Sequence, residues 1–374
     1  MTTVARSEVD QVTARRRGVG LIAVDEARSA GGYTLFAPLT AGGNVYLIDI
    51  HGDEVHRWKM PFRPGRDAVI LPNGNLGYNG NHPTSLDFYQ AWELWHGGAF
   101  SEVTPSGEAV WEYEDPTHHH DAQWLPNGNL LYTCAEELSP TFARRVPGGY
   151  VPDGLPDRLY GDVIKEVDRS GNIVWQWRAQ DHLDPAAFPI HDFFARFHWP
   201  LVNGLSEMRD GQVLMSLRMT SGVIAVDKNS GNVTWHLGSD VVAQQHTPVE
   251  LDNGNILIFD NGNMRPRVPG AYTRVIEVNR ATKQIEWQYA DNIRGAFFSA
   301  YMGSAQRLLN GNTFVTEPAF GRLFEVTPEC EVVWEYVIPY FAEFPEGSAR
   351  KHTPGLQNQV FRSHRYTKAD IPWL

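Results

Sequence analysis

The chain has 374 residues, of which 42% are hydrophobic, 12% aromatic and 20% charged, the composition of a folded globular protein rather than of a disordered or fibrous chain. Its 32 lysines and arginines against 44 aspartates and glutamates give a formal net charge of -12. This is the wrong sign for a protein that neutralises phosphates, so we expect no nucleic-acid partner. No stretch approaches the roughly 20 apolar residues of a membrane helix, so we expect no membrane partner either.

The cysteine content and the N-terminus bear on the cellular compartment. Only Cys134 and Cys330 are present, too few for a disulfide framework, which fits a reducing environment. Three arginines at residues 15–17 precede an apolar run that is too short for the core of a signal peptide. We therefore predict a cytoplasmic protein with a partly disordered leader at residues 1–28 and a single domain at residues 29–374.

Beyond the leader, one kind of segment recurs six times: an alternating strand, a turn, and a second alternating strand that ends on a tryptophan. The tryptophans that mark these hairpins are Trp58, Trp111, Trp175, Trp235, Trp287 and Trp334. A second hairpin lies between them, as in DAQWLPNGNLLY, and five copies are visible. Its Asn-Gly or Asp-Gly tip is a strong hairpin signal because these residues accept the positive φ that a tight turn requires.

Two hairpins in each unit predict a four-stranded antiparallel sheet, which is the blade of a β-propeller. The predicted fold class is therefore all-β, a six-bladed β-propeller of four-stranded antiparallel blades, with loop insertions on one face. The sixth blade has no visible Asn-Gly hairpin, so we predict that residues 352–366 close it against residues 33–37. A seventh, degenerate blade is the alternative.

The longest insertions fall between the hairpins rather than at their tips, and antiparallel strands place all such connections on one face of the disc. They are residues 80–98, 135–161, 178–202 and 291–303, and together they are rich in aromatic, histidine and arginine side chains. Long ordered loops in compact domains usually carry function. We therefore expect a ligand site beneath these insertions.

Positions at a fixed distance before each turn tip mark the start of the innermost strands, nearest the axis. The ring counted in this way contains Arg66, His120, Asn203, His246 and Gly303, with His352 as a sixth member of uncertain register. The ends of the following strands add Asn81, Ala135, Arg218, Asn261 and Glu317. Several histidines at equivalent positions beside arginine and asparagine form a polar group that a protein core does not tolerate without a ligand, water or metal.

Several motifs between about residue 101 and residue 335 point to one family. They are His119-His120-Asp121 before LPNGN, SLRMTSGVIAVDKNSGNVTWHLG, Gln245-His246-Thr247, FDNGN and LLNGNT. This set resembles the bacterial arylsulfate sulfotransferase family, whose members are six-bladed propellers that move a sulfuryl group between phenols without a nucleotide sulfate donor.

The resemblance implies roles for individual residues. His246, in the Gln-His-Thr motif, corresponds to the nucleophile that becomes transiently sulfated, and a neutral imidazole is a good nucleophile near pH 7. Arg218 and His120 are the expected receivers of the negative charge on the sulfuryl group in flight, and Asn203 matches the asparagine of the family. We expect further contacts to a small aromatic substrate from Arg66, His119, His198, Asn261 and Glu317.

Two positions depart from the pattern of the family. Leu201 stands where the family usually has a histidine two residues before the asparagine, and Met219 stands where a histidine often follows the arginine. Both differences remove polar groups that would contact substrate or take part in catalysis.

Three hypotheses of function follow. The first is a sulfuryl transferase that uses no cofactor and works by double displacement through His246. The second is a metal-dependent hydrolase, lyase or oxygenase that acts on an aromatic small molecule, with zinc, iron or copper held by His120, His246 and His352 from three alternate blades. The third is a binding propeller without catalysis. Metal content and ping-pong kinetics distinguish the first two, and the sequence makes no prediction of the oligomeric state.

Overall fold

The structure is a computed structural model that describes residues 18–89, 91–154, 157–266, 268, 270–345 and 353–374. Its secondary structure is almost entirely β. In the first half of the chain the elements are β1 (Gly20–Val24), β2 (Tyr33–Pro38), β3 (Asn44–Ile48), β4 (Glu54–Lys59), β5 (Pro64–Ile70), β6 (Leu76–Asn81), α1 (Trp92–Trp95), β7 (Gly98–Val103), β8 (Ala109–Glu114), β9 (His118–Trp124), β10 (Leu130–Glu137), α2 (Pro140–Ala143), β11 (Gly148–Tyr150), β12 (Tyr160–Val167), β13 (Ile173–Arg178) and α3 (Ala179–His182).

The second half of the chain continues the same alternation of strands and turns. Its elements are β14 (Ile190–Ala195), β15 (His198–Trp199), β16 (Val202–Glu207), β17 (Val213–Leu217), β18 (Gly222–Val226), β19 (Val233–Leu237), β20 (His246–Glu250), β21 (Ile256–Asp260), β22 (Arg274–Val278), β23 (Ile285–Tyr289), β24 (Ser304–Arg307), β25 (Thr313–Glu317), a 3-10 turn (Pro318–Phe320), β26 (Arg322–Val326), β27 (Val332–Val337), β28 (Val360–Tyr366) and a 3-10 turn (Lys368–Asp370). No helix in the described ranges has the length and apolar character needed to cross a membrane.

The strands form six antiparallel blades, which confirms the predicted six-bladed β-propeller. From the innermost strand outward, blade 1 is β5-β6-β7-β8, blade 2 is β9-β10-β12-β13, blade 3 is β16-β17-β18-β19, blade 4 is β20-β21-β22-β23, blade 5 is β24-β25-β26-β27 and blade 6 is β28-β2-β3-β4. The innermost strands contact one another from blade to blade and so surround a common axis.

Blade 6 joins the two ends of the chain, as predicted. Strand β28 pairs antiparallel with β2, with Tyr33 opposite Tyr366 and Leu35 opposite His364. The innermost strand of this blade begins at Val360. His352, the sixth member of the predicted ring, lies outside the described residues.

Part of the predicted leader belongs to the propeller. Strand β1 pairs antiparallel with β27, with Gly20 opposite Val337 and Val24 opposite Trp334. It is the fifth and outermost strand of blade 5, where it satisfies the main-chain groups that an edge strand leaves unpaired. The propeller therefore begins before residue 29, whereas residues 1–17 of the predicted leader lie outside the described residues.

The six tryptophans of the repeat connect neighbouring blades. Each donates its indole N–H to a main-chain carbonyl in the outer turn of the next blade, at 2.7–3.1 Å. The pairs are Trp58 with Thr104, Trp111 with Arg169, Trp175 with Lys228, Trp235 with Arg280, Trp287 with Pro328 and Trp334 with Ile50. The last pair returns from blade 5 to blade 6, so the contacts form a closed ring.

The insertions contact one another over one end of the axis. Tyr89, from the first insertion, stacks on Phe197 of the third at 4.6 Å between ring centres. Strand β11 of the second insertion pairs with β14 of the third. Leu94 of the first packs in one apolar cluster with Tyr301 of the fourth. These contacts put all four insertions at one mouth of the propeller.

A buried ion-pair cluster crosses the axis. Arg362 on β28 places Nη2 2.8 Å from Asp121 Oδ2 and Nη1 3.4 Å from Asp67 Oδ2. Asp121 Oδ2 also accepts the main-chain N–H of Leu205 at 2.9 Å. Blades 1, 2 and 6 therefore meet at one guanidinium, and blade 3 joins them through Asp121. A cavity of about 470 Å³ lies against Arg362 and the inner turns of blades 4 and 5.

Candidate functional site

A cavity of about 240 Å³ lies under the insertions. Its charged and imidazole lining comes from Arg66, His120, Arg218 and His246, one from each of blades 1 to 4. The rest of the lining is mainly apolar or aromatic and comes from the loops, with Leu39, Ala91, Leu94, Trp95, Tyr301, Met302, Thr353 and Gln359. Counting from the hairpin turns thus selected four polar residues that share one small cavity.

Irregular backbone geometry at the starts of the inner strands orients these side chains. The pairing of the inner strand shifts register near the cavity in blades 1, 2, 3 and 4, and such bulges redirect side chains beside functional sites. His120, Thr247 and Met302 adopt φ values of 55°, 46° and 58°. Residues other than glycine rarely enter this left-handed region unless the surrounding structure holds them there.

Hydrogen bonds fix the orientation and tautomer of His246. Its Nδ1 lies 2.7 Å from Asn261 Oδ1, and the amide of Asn261 is oriented by donating Nδ2 to the carbonyls of Ser299 and Met302 at 2.8 and 2.9 Å. Nδ1 therefore carries the hydrogen. The opposite nitrogen, Nε2, accepts the main-chain N–H of Met302 at 3.0 Å. Burial, helped by the charge of Arg218, lowers the pKa of His246 to about 3, so the ring is neutral.

His120 is the second imidazole of the cavity. Its Nδ1 lies 2.9 Å from His119 Nδ1, and the edge of its ring meets Trp95 with 5.3 Å between ring centres. Burial, with further repulsion from Arg66, holds the pKa of His120 well below its usual value. Because Nδ1 is engaged by His119, Nε2 is the nitrogen available to a molecule in the cavity.

The two arginines of the cavity have no carboxylate to neutralise them among the described residues. Arg66 is buried and donates one hydrogen bond, from Nη2 to the carbonyl of Leu94 at 3.0 Å. Arg218 packs its guanidinium on the ring of Phe194 at 4.8 Å. Burial lowers the pKa of Arg66 to about 9 and that of Arg218 to about 10, so both remain charged at neutral pH. Cations desolvated in this way favour an anionic ligand.

The two predicted asparagines lie behind the cavity wall. Asn261, predicted to bind substrate, instead holds His246. Asn203, predicted to be catalytic, donates Nδ2 to the carbonyl of Gln245 at 2.9 Å, and its Oδ1 is buried without a hydrogen-bond partner. Both side chains are 0% exposed. They shape the segment that carries the nucleophile candidate and do not line the cavity.

His119 and His198 also lie outside the cavity, although both were predicted to bind substrate. Each is 0% exposed, and each points Nε2 at Oδ1 of Asp162, at 3.1 and 3.2 Å. The same oxygen accepts the main-chain N–H of Val202 at 3.0 Å, and Nδ1 of His198 lies 2.8 Å from the hydroxyl of Tyr89. The bulge in blade 2 turns the ring of His119 away from the axis. His198 lies on β15, within the third insertion and outside the inner strands.

Glu317 is likewise distant from the cavity lining. It is fully buried, lies 3.2 Å from Arg322 and accepts the main-chain N–H of Phe298 at 3.2 Å. Leu201 and Met219, the two departures from the pattern of the family, are buried in the apolar cluster around Trp199. At these two positions apolar packing therefore takes the place of polar contacts to a ligand.

Three side chains of the types that bind metals lie close together in the described part of the chain. His119, Asp162 and His198 have ligand atoms within 4.8 Å of one another. Asp162 Oδ1 accepts the main-chain N–H of Val202 there and lies within 3.2 Å of Nε2 of both imidazoles, which is the environment of a hydrogen-bond acceptor. The alternative metal hypothesis used His120, His246 and His352, and His352 lies outside the described residues.

Some residues of the site escaped the sequence analysis. Asp162 was missed because it lies on the third strand of its blade, whereas the predicted ring comes from the starts of the first strands and the ends of the second. The only signal is one aspartate in the apolar run LYGDVI. Met302 was missed because its contribution is a main-chain N–H, which leaves no trace in the residue type.

The buried neutral state of His246 predicts a pH-dependent stability. Its pKa is about 3 when folded against 6.5 for the free side chain, so between these values the unfolded chain binds a proton that the folded protein does not. The free energy of unfolding should be unaffected by this group above pH 6.5 and fall below it, by up to about 1.4 kcal/mol per pH unit.

Urea unfolding at pH 7.5, 6 and 5 measures this effect in the wild type and in His246→Gln, whose side chain does not titrate. The wild type should lose more stability on acidification than the variant does. Equal losses in the two proteins would contradict the prediction.

Comparison with solved structures supports the fold. A protein of unknown function from Bacteroides caccae superposes with a TM-score of 0.51 at 14% identity, over 81% of this chain and 93% of that one. A streptogramin B lyase gives 0.46 at 10% identity, over 86% and 83%. An inactive virginiamycin B lyase from Staphylococcus aureus with quinupristin gives 0.45 at 11%, over 88% and 91%. Only the first likeness, with a TM-score above 0.5, supports the fold, and at its identity it concerns the fold alone. No curated protein sequence matches the chain significantly.

The sequence itself matches a family profile. The profile described as Arylsulfotransferase (ASST) matches residues 40–242 and 238–343. These ranges span more than half of the chain and include the four polar residues that line the cavity. The chain therefore belongs to the arylsulfotransferase family.

Proposed function

We propose that the protein transfers a sulfuryl group from an aryl sulfate to a phenolic acceptor, by double displacement through His246. The observation that carries the proposal is the pair of arginines, Arg66 and Arg218, which face two neutral imidazoles in one cavity without a carboxylate partner among the described residues. A sulfate monoester supplies the single negative charge and the oxygen acceptors that such a site lacks.

The size and the walls of the cavity favour a small aromatic substrate. A volume of about 240 Å³ is at the small end for ligand pockets, and it suits one aromatic ring with its sulfate. Leu94, Trp95 and Met302 offer apolar and aromatic surface to that ring. The arginines then fix the sulfate end and the loops select the aryl end.

In the first half-reaction, Nε2 of His246 attacks sulfur while the bond from sulfur to the aryl oxygen breaks and the phenolate leaves. The imidazole becomes an N-sulfo cation, and Asn261 Oδ1 stabilises it by accepting the hydrogen on Nδ1. In the second half-reaction an acceptor phenol takes the sulfuryl group and the electron pair returns to Nε2. Because Met302 donates its N–H to that lone pair, this N–H must turn away before attack.

The test incubates the protein with a chromogenic aryl sulfate and a phenol. The proposal expects phenol release that depends on the acceptor, with the parallel double-reciprocal lines of a ping-pong mechanism. It is contradicted if wild-type protein with an intact fold releases no phenol from any of several aryl sulfates.

Replacing Arg218 by lysine should weaken transition-state binding. The lysine keeps the charge but loses the planar fork that reaches two sulfate oxygens at once. We expect kcat/KM for the same aryl sulfate to fall roughly 30- to 150-fold, which corresponds to a loss of about 2 to 3 kcal/mol of transition-state stabilisation.

The matched control for this substitution is Arg209→Lys, because Arg209 is an exposed arginine of the same blade that pairs with Asp252. It should leave kcat/KM unchanged. A value for Arg218→Lys within twofold of the wild type would show that the guanidinium does not contact the reacting group.

A further inference from the structure

A row of polar side chains in contact with one another runs from the cavity into the core, and the two half-reactions leave most of it unused. It begins at His120 in the cavity wall and continues through His119 to Asp162. On the far side of Asp162 lie His198 and the hydroxyl of Tyr89. His119, Asp162 and His198 are at most 1% exposed, so the protons in this row are shielded from bulk water.

The partners of His119 determine where its hydrogen lies. Its Nε2 faces two acceptors, Asp162 Oδ1 at 3.1 Å and the carbonyl of Cys134 at 3.2 Å. A carbonyl oxygen cannot donate, so Nε2 must carry the hydrogen. In the neutral ring, Nδ1 of His119 is then an acceptor. It lies 2.9 Å from His120 Nδ1, so the hydrogen between the two rings belongs to His120.

This arrangement fixes the tautomer of His120 as well. With its hydrogen on Nδ1, the neutral ring presents a bare lone pair on Nε2, the nitrogen available to the cavity. His246 differs, because its own Nε2 lone pair is occupied by the N–H of Met302. Among the described imidazoles that line the cavity, His120 therefore offers the unoccupied basic nitrogen.

We propose that His119 and Asp162 are positioning residues that make His120 the base for the acceptor phenol. The inference rests on the proposed function and extends its second half-reaction. The phenol O–H gives its proton to His120 Nε2, the phenol oxygen bonds to sulfur, and the bond from sulfur to His246 Nε2 breaks with its electron pair returning to nitrogen. The hydrogen on His120 Nδ1 passes to His119 Nδ1.

The proton balance closes from the second turnover onward, because the first donor product leaves as phenolate before any acceptor has given up a proton. After the second half-reaction the extra proton resides on the His119 ring, beside the carboxylate of Asp162. In the next cycle it returns through His120 to the oxygen of the leaving phenol. One proton is therefore taken from each acceptor and given to the donor product of the next cycle, and no outside co-reactant is required.

Electrostatics favours this placement of the charge. Arg66 and Arg218 already put two positive charges at the cavity, and a third on His120 would be repelled by both. On His119 the charge lies against Asp162. Burial would raise the pKa of Asp162, but the adjoining imidazoles His198 and His119 lower it below its usual value, so the carboxylate is ionised and can balance the charge.

The kinetic test uses Asp162→Asn with a series of acceptor phenols at saturating aryl sulfate. Each rate is divided by the wild-type rate for the same acceptor. Phenols that are neutral at the assay pH need a base, so their rates should fall roughly 10²-fold. Phenols already ionised at that pH need none, so their rates should stay within a few fold of the wild type.

The matched control is Asp260→Asn, another fully buried aspartate, which pairs with Arg274 and Arg265 in blade 4. Any loss it causes should be equal for all phenols. An equal loss across the series in Asp162→Asn would assign Asp162 a purely structural role and overturn the inference. Stoichiometric metal that the wild type holds and Asp162→Asn releases would overturn it too, because a cation would replace the hydrogen on His119 Nε2.

A second measurement does not depend on activity. Two-bond proton–nitrogen correlation spectra of protein with 15N-labelled histidine report which ring nitrogen carries hydrogen, and His119→Gln and His120→Gln assign the two signals. We expect hydrogen on Nε2 of His119 and on Nδ1 of His120. Hydrogen on Nε2 of His120 overturns the inference even in an active enzyme. If wild-type protein acts on no aryl sulfate, the proposed function fails instead, and the role of His120 as a base fails with it.

Discussion

His246→Ala is expected to lower turnover of an aryl sulfate by about 10⁴-fold or more, because loss of a nucleophile removes the covalent route and neighbouring groups do not replace it. The structure gives the reason in this chain. His246 is the cavity imidazole whose Nδ1 hydrogen is held by an amide oxygen, Asn261 Oδ1, and this bond leaves the lone pair on Nε2, which reacts once the N–H of Met302 has turned away. His120 lacks an acceptor of that kind, since its Nδ1 faces another imidazole.

Mass spectrometry provides the direct measurement. Wild-type protein treated with aryl sulfate in the absence of acceptor should yield a sulfated peptide that contains His246, provided that alkaline handling preserves the nitrogen–sulfur bond. His246→Ala should yield none. The exposed His51 supplies the control His51→Ala, which should retain both adduct and turnover. An adduct on His120 in place of His246 would reverse the two roles.

Arg362→Met is expected to destabilise the fold by about 3 to 5 kcal/mol, the range for removing one partner of a buried ion pair. Arg362 lies across the axis between Asp121 and Asp67, and these carboxylates are 1% and 6% exposed. Without the guanidinium, Asp121 loses its cation, and Asp67 keeps the imidazole of His364 at 3.0 Å and the main-chain N–H of Ala68 at 2.8 Å. Two nearby carboxylates would then repel each other inside the core.

Chemical denaturation at pH 7.5 measures this effect, with Arg209→Met as the matched control. Arg209 forms an exposed ion pair, which typically contributes less than about 1 kcal/mol. A loss below about 1 kcal/mol in Arg362→Met would show that water or other side chains compensate the two carboxylates.

Periodicity was sufficient to predict the architecture. The tryptophan and Asn-Gly hairpins gave the number of blades and the number of strands in each, because both features arise from local turn chemistry that recurs in every repeat. Counting from the turns also found Arg66, His120, Arg218 and His246. Arg66, His120 and His246 lie on inner strands of a closed ring and Arg218 directly follows a second strand, so register brought these four to one end of the axis, although it did not exclude Asn203.

What the sequence could not predict depends on contacts between blades. Asp162 is important because imidazoles from β9 and β15 both point at it, and no pattern within one strand shows that meeting. His119 and His198 were predicted to contact substrate for the same reason: residue type indicated chemistry, but a bulge and an insertion decided which way each ring points. The start of the inner strand of blade 6 at Val360 was not predicted either, because this strand has no turn signal from which to count.

The closed circle of tryptophan contacts bears on how the protein unfolds. In a linear array of repeats the end units have one neighbour and fray first. Here Trp334 of blade 5 reaches Ile50 of blade 6, and blade 6 itself contains both β2 and β28, so every blade has two neighbours and none is an end. Loss of β28 would remove the innermost strand of blade 6 and its contacts with both neighbouring blades. Loss of order should therefore be all-or-none for the whole disc, with the cavity under the insertions and the outer turns lost in the same transition.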